Sequence, residues 1–276
     1  MRMFPRAVAA GVLAALFLAA VPRALGKDTE VPLLIDQGVL LLHAQINDVG
    51  PLLFVFDPGA GAFITTYAQT RLGNKPARTL RIGGASIPES MPVFPGDPAQ
   101  LYPVHDTRLG VLAGSIGPDL LSHYVVRVDF SRKNLALIPF SQFTAPRGAA
   151  ALRLRFDPFG MPVIDARVDH APGRFELDLR APTTMLFKPF ADERDFTRRY
   201  ASAPVLKRAG TSVQHSLSQI ELGPYAVKDV PTWFSADTSG KFAQRTIGGL
   251  LGNNVLSHFV ITLDYRRGIV YLERSK

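Results

Sequence analysis

Residues Gly114–Phe130, GSIGPDLLSHYVVRVDF, return 135 positions later as Gly249–Tyr265, GLLGNNVLSHFVITLDY, with Gly114, Gly117, Leu121, Ser122, His123, Val125 and Asp129 all unchanged. The chain is therefore read as an internal duplication. A weaker echo lies upstream in each copy: Phe54–Ala60 reads FVFDPGA and Phe175–Ala181 reads FELDLRA. Each copy thus ends an apolar strand in one aspartate, Asp57 in the first and Asp178 in the second. Two half-sites that each bring one carboxylate suit chemistry in which a pair of acids shares a proton, and neither half performs such chemistry alone.

Length and composition fit this reading. A chain of 276 residues, 47% hydrophobic, is long enough for two lobes with separate cores. Helical periodicity is nearly absent, while short runs of Val, Ile, Leu and Phe recur between Gly, Pro and Asp, which predicts an all-β fold with short surface helices. The runs 38–46, 52–56, 80–82, 86–93, 125–130 and 135–139 are matched in order by 162–168, 174–177, 219–222, 226–234, 260–265 and 269–273. Gly83-Gly84 and Gly223-Pro224 fall between paired runs, which is hairpin-turn chemistry. One projecting hairpin per lobe is expected, either a plain surface hairpin or one able to close over a cleft.

The offset between copies is 121 at Asp57 and Asp178, 140 at Ile82 and Leu222, and 135 at Gly117 and Gly252. The second copy has therefore gained 19 residues and then lost 5. The gain falls near 191–210, a charged stretch expected to form a short surface helix before Pro204. Residues 141–150, SQFTAPRGAA, form the expected linker, so the lobes are assigned to 27–143 and 144–276.

Residues 1–26 differ in kind from the rest. Arg2 and Arg6 precede an apolar run from Ala7 to Val21, and small residues Ala24 and Gly26 stand where a signal peptidase cuts, so a secretory signal is expected. The run is shorter than the roughly 20 residues needed to cross a bilayer, so no stable membrane span is expected once it is removed. Its loss takes three arginines and no acid, lowering the formal charge from +8 to +5. No cysteine occurs, which excludes disulfides, thiolate catalysis and cysteine-bound metal. No nucleic-acid-binding pattern is present either.

The remaining repeated polar residues have plainer readings. Asp129 and Asp264 each precede a basic turn and read as structural. His123 and His258 lie beside aromatic residues with no further ligand at metal spacing. Ser122 and Ser257 lack the glycine setting of a hydrolase nucleophile. No metal and no cofactor are assigned.

Four elements together carry a family resemblance: the apolar strand ending in Asp, the turn after it, the glycine hairpin, and the later Ser115-Ile116-Gly117 and Leu250-Leu251-Gly252. On them the mature chain resembles a tandem retropepsin-like aspartic peptidase, its halves pairing as pepsin lobes do. The resemblance implies two β-barrel lobes forming an intramolecular pseudo-dimer in a monomeric, secreted and periplasmic protein. It implies catalytic Asp57 and Asp178, peptide or unfolded-protein substrates, and hydrolysis by a water activated between the two acids. Gly117 and Gly252 take the place of the family's glycines that let a strand pass close behind the aspartate loop.

The sequence departs from the family in both loops. The family has Thr or Ser and then Gly after each Asp, whereas this chain has Asp57-Pro58-Gly59 and Asp178-Leu179-Arg180. Pro58 and Leu179 cannot make the side-chain hydrogen bond that locks the loops across the lobe interface. Arg180 adds bulk and a permanent cation, which favours both ionised carboxylates over the shared-proton state that hydrolysis needs. Two placements are open, with the guanidinium pointing outward or lying between the aspartates. Two functions are open with them: a working or impaired aspartic endopeptidase, or a non-catalytic pseudo-protease holding extended peptides in the inter-lobe cleft.

Overall fold

A computed structural model of the chain describes residues 29–96, 102, 104–157 and 160–275. The expected signal segment lies outside these. The architecture is all-β, with three sheets and a few helices of four to six residues. Two eight-stranded sheets, one from each copy, flank a six-stranded sheet to which both copies contribute.

The duplication shows most directly in the central sheet. Its order is Thr29–Pro32, Asn134–Ile138, Val125–Asp129, Phe259–Asp264, Ile269–Arg274 and Ala150–Arg153. The two inner strands are the repeated VVRVD and FVITLD, and they pair antiparallel, Val126 with Leu263 and Val128 with Ile261. An approximate two-fold axis therefore passes between them, and each half adds one hairpin strand and one outer strand on its own side. These strands are almost fully buried; one face, with Val126, Val128, Ile261 and Leu263, joins the main hydrophobic core, while the other sets Arg127 beside Thr262 and Glu273.

Within each lobe the aspartate-bearing strand occupies the middle of the sheet. Val49–Phe56 runs antiparallel to Val39–Ile46 and parallel to Leu112–Ile116. Its counterpart Ala171–Leu177 runs antiparallel to Pro162–Val168 and parallel to Gly249–Leu251. The short strands Phe63–Thr65, Leu112–Ile116, Thr184–Leu186 and Gly249–Leu251 are not apparent in the sequence pattern. Two of them carry glycine for a steric reason: a Cβ on Gly114 would fall 2.1 Å from the Phe63 carbonyl oxygen, and one on Gly249 2.1 Å from that of Met185.

Of the two readings of the hairpins, the contacts around their turns fit the plain surface one. Ile82 and Ala85, flanking Gly83-Gly84, are buried in the main hydrophobic cluster, which runs through both copies rather than forming the two separate cores expected. The Gly223 turn rests on the side chains of Leu152 and Ala150, and the neighbouring Tyr225 packs on Phe259. The inserted stretch is also more than a surface elaboration. It forms the helix Phe196–Arg199 and the edge strand Lys207–Ala209, after a helix at Lys188–Glu193. Phe196 is fully buried, packed among Phe190, Tyr200 and Phe234, because a phenylalanine within the charged run has far more to gain from the core than from water.

The repeated polar residues adopt plain roles. Asp129 accepts from Ser131 and the Arg132 amide, and Asp264 from Arg267, so both close the basic turns that follow them. His258 and Ser257 are exposed, as is Ser122.

The lobes grip each other through reciprocal turns. Gly38 of the first lobe, at φ +94°, lies against Pro182 of the second, while Met161 of the second lies against Gly59 of the first. Asn253 joins the two halves, its Nδ2 donating to the Gly38 carbonyl at 2.6 Å and the Leu179 carbonyl at 2.8 Å. Asn253→Ala is expected to cost about 1 to 2 kcal/mol in urea unfolding, because the buried Leu179 carbonyl and the half-buried Gly38 carbonyl lose their donor. An unchanged midpoint would show that this link contributes nothing.

Candidate functional site

The loops after the two apolar strands are built alike. The Asp57 amide donates to the Ile116 carbonyl at 3.0 Å, and the Asp178 amide to the Leu251 carbonyl at 3.1 Å. Each carboxylate accepts from the amide two residues on: Gly59 to Asp57 Oδ1 and Arg180 to Asp178 Oδ1, both at 3.0 Å. The repeated glycines sit directly behind these loops. A Cβ on Gly117 would lie 1.9 Å from the Ala60 carbonyl oxygen, and one on Gly252 2.5 Å from the Thr183 carbonyl carbon. The residues at equivalent positions after them support the loops from the side: Asp119 accepts from the Ala62 amide, and Asn254 Oδ1 accepts from the amide and hydroxyl of Thr184.

The two aspartates, 121 residues apart in sequence, meet at one centre, and Arg180 lies between them. Its Nε is 3.2 Å from Asp57 Oδ2 and 3.3 Å from Asp178 Oδ1, and a terminal guanidinium nitrogen is 3.5 Å from Asp178 Oδ2. Of the two placements the sequence left open, the structure adopts the internal one. Pro58 and Leu179 make no side-chain hydrogen bond across the interface. The cross-lobe contacts at the loops are instead the Arg180–Asp57 ion pair, the Met161 thioether on Gly59, and the Asn253 link.

Three residues that the sequence pattern did not single out complete the site. Tyr102 donates its hydroxyl to Asp57 Oδ2 at 2.8 Å and lies within 3.4 Å of the Ser115 hydroxyl. The Arg180 guanidinium carbon stands 5.7 Å from its ring centroid. Met161 occupies the space over Gly59. Together they leave Asp57 only 1% exposed and Asp178 only 5%. Glu176, two residues before Asp178, is completely buried, where the first copy has Val55; Lys241 reaches it at 2.8 Å and Gln244 at 3.3 Å. Only Glu176 carried a sequence signal, as a charge at a position apolar in the other copy.

The electrostatics correct one expectation. Arg180 was expected to hold the carboxylates below their usual range. For Asp57 the cost of burial outweighs Arg180, Tyr102 and the Gly59 amide, and nearby Asp178 adds to it, so its pKa is raised. Glu176 is likewise raised, chiefly by burial, against the pull of Lys241. The Arg180 cation, disfavoured by burial, is more than compensated by the two carboxylates and stays charged.

A carboxylate whose folded pKa lies above its unfolded value contributes stability that is complete below the unfolded pKa and lost as pH rises through the folded one. Asp57 and Glu176 are therefore expected to make the protein less stable as pH rises from the ordinary carboxylate range. Asp57→Asn should flatten that slope in thermal unfolding followed across pH. A slope of the opposite sign, or one untouched by the substitution, would contradict this account.

Among the described residues no group of three or more histidine, aspartate or glutamate side chains is disposed to hold a metal ion, and no helix is long and apolar enough to cross a membrane. Neither a protein-family model nor a curated protein matches the chain. Among solved structures it is similar to a retropepsin-like aspartic protease from Rickettsia conorii, with 17% identity over 47% of this chain and 94% of that one and a TM-score of 0.34. It is also similar to Basic 7S globulin from soybean, with 10% identity over 91% of this chain and 95% of that one and a TM-score of 0.49. At identities this low, what the site can do is read from its own residues.

Proposed function

We propose that this chain is a secreted, periplasmic relative of the retropepsin-like aspartic peptidases whose acid pair is held in an ion-paired, non-hydrolytic state, and that it holds extended peptides rather than cutting them. One observation carries the reading: Arg180 Nε lies within hydrogen-bonding distance of a carboxylate oxygen from each aspartate. Hydrolysis through such a pair requires one shared proton and a water between the acids. A guanidinium in that position supplies a permanent positive charge where the mechanism needs a removable proton, and it occupies the place of the nucleophile. Tyr102 and Met161 shield Asp57 further. The half-buried Phe63 stacks on Tyr102, which bonds Asp57, and Met185 pairs with Leu250 in the second lobe as Phe63 pairs with Ser115 in the first; both support a role in accommodating peptide side chains.

A second reading, a working aspartic endopeptidase, is favoured by the symmetric support of the two carboxylates, which would be ready for use once Arg180 moved aside.

The test incubates the protein with a denatured protein and an extended peptide across acidic to neutral pH, with and without a statine-type inhibitor. The native chain should bind without cleaving, and Leu179→Thr with Arg180→Gly should gain inhibitor-sensitive cleavage. Cleavage by the native chain that disappears in both Asp57→Asn and Asp178→Asn would replace the first reading with the second. N-terminal sequencing of the exported protein tests the proposed cut after Gly26.

A further inference from the structure

The second lobe carries a cavity of about 640 Å³ on a face whose lining includes neither aspartate. Four arginines and three acids line it, and the pairing among them is unequal. Arg167 meets Glu221 at 3.4 Å, Arg245 meets Glu193, and Asp165 is taken by Arg155, which stands outside the lining, at 2.8 Å. Every acid of the wall is thus neutralised. Arg174 and Arg194 meet no carboxylate among the described residues, and both are exposed.

The floor is apolar and fixed. Phe190 lies edge-on to Phe175 at 5.3 Å and stacked on Phe196 at 5.8 Å. Glycines stand on either side of it because nothing larger fits: a Cβ on Gly173 or Gly248 would come within 2.7 or 2.9 Å of the Phe190 ring. An aromatic floor beneath two uncompensated guanidinium groups, in a cavity within the roughly 300 to 1,000 Å³ of ordinary ligand sites, has the form of a recognition pocket.

We propose that this cavity binds a short peptide segment that carries carboxylates beside an apolar side chain. Arginine offers a planar pair of donors that matches a carboxylate, so Arg174 and Arg194 anchor the acids while the apolar side chain rests toward Phe190. The apolar floor argues against a bare phosphate, which has no group to place on Phe190, and the wall's ion-paired acids can still accept from the backbone N–H groups of a peptide. The site stands apart from the Asp57–Asp178 centre and does not depend on whether that centre cleaves or holds peptides.

Fluorescence anisotropy with a labelled hexapeptide of alternating glutamate and phenylalanine tests this on the full chain. Saturable binding is expected, weakened about tenfold or more by Arg174→Gln and by Arg194→Gln, since each removes a charge-assisted contact. Lys75→Gln, on the other lobe, should leave it unchanged. The proposal fails if no saturable binding is seen up to about 1 mM peptide. It also fails if the glutamine–phenylalanine analogue binds equally well, or if inorganic phosphate displaces the peptide at matching concentration. Binding that is lost on Arg180→Gly but kept in both arginine variants would move the peptide to the aspartate centre and overturn the assignment.

Discussion

Arg180→Met should lower stability by about 3 to 5 kcal/mol near neutral pH, the range found when one partner of a buried ion pair is removed. Without the guanidinium, Asp57 and Asp178 are left as two buried like charges held by fixed backbone contacts. Such a pair relieves itself by taking up a proton, so its pKa values rise. By linkage, the lost stability should return on acidification, as one carboxylate is protonated in the folded state before it is in the unfolded one. Adding Asp57→Asn should recover most of the loss at about pH 7.5 by removing the repulsion directly. Urea unfolding of the native chain, the single variant and the double variant at two pH values reads all of this. If Arg180→Met is as stable as the native protein at neutral pH, the guanidinium does not hold the acid pair together. The same substitution clears the space between the carboxylates where hydrolysis would need a water, so under the proposed function stability and activity should respond to it in opposite directions.

Gly117→Ala should be among the most damaging single methyl additions at the described glycines. The added Cβ would stand 1.9 Å from the Ala60 carbonyl oxygen and 2.9 Å from the Ala62 amide nitrogen, both backbone atoms of the Asp57 loop. No side chain can swing away, so the loop itself must move by more than 1 Å, or roughly 3 kcal/mol or more, the upper end of overpacking costs. Gly252→Ala meets Thr183 at 2.5 Å and should cost less. The two equivalent glycines are thus expected to differ in a stated order, read from unfolding midpoints. Equal midpoints for Gly117→Ala and the native chain would refute the close approach. Displacing the Asp57 loop should also loosen the Arg180 contact, which holds the Asp57 pKa down against burial, and so raise the pH through which this contribution to stability is lost.

Much of the architecture was legible because duplication prints its periodicity twice. The matched VVRVD and FVITLD runs mark the strands that become the centre of the shared sheet, and FVFD and FELD mark the strands that deliver the two acids. The short parallel partners were not legible. Three to five residues containing glycine have no pattern of their own and become strands only when a neighbour supplies the hydrogen bonds. Tyr102 was hidden for a related reason: it belongs to a stretch with no matched partner in the other copy, and its contact with Asp57 spans 45 residues.

The repeat by itself determined that one carboxylate comes from each copy, since that follows from residue type at a matched position, and the family resemblance added that Gly117 and Gly252 stand behind the two loops. Only the tertiary structure decided where the guanidinium of Arg180 points. A long, flexible side chain takes its direction from the surfaces around it, and here those surfaces belong to the opposite lobe: Asp57 draws the cation inward, and Tyr102 closes over both.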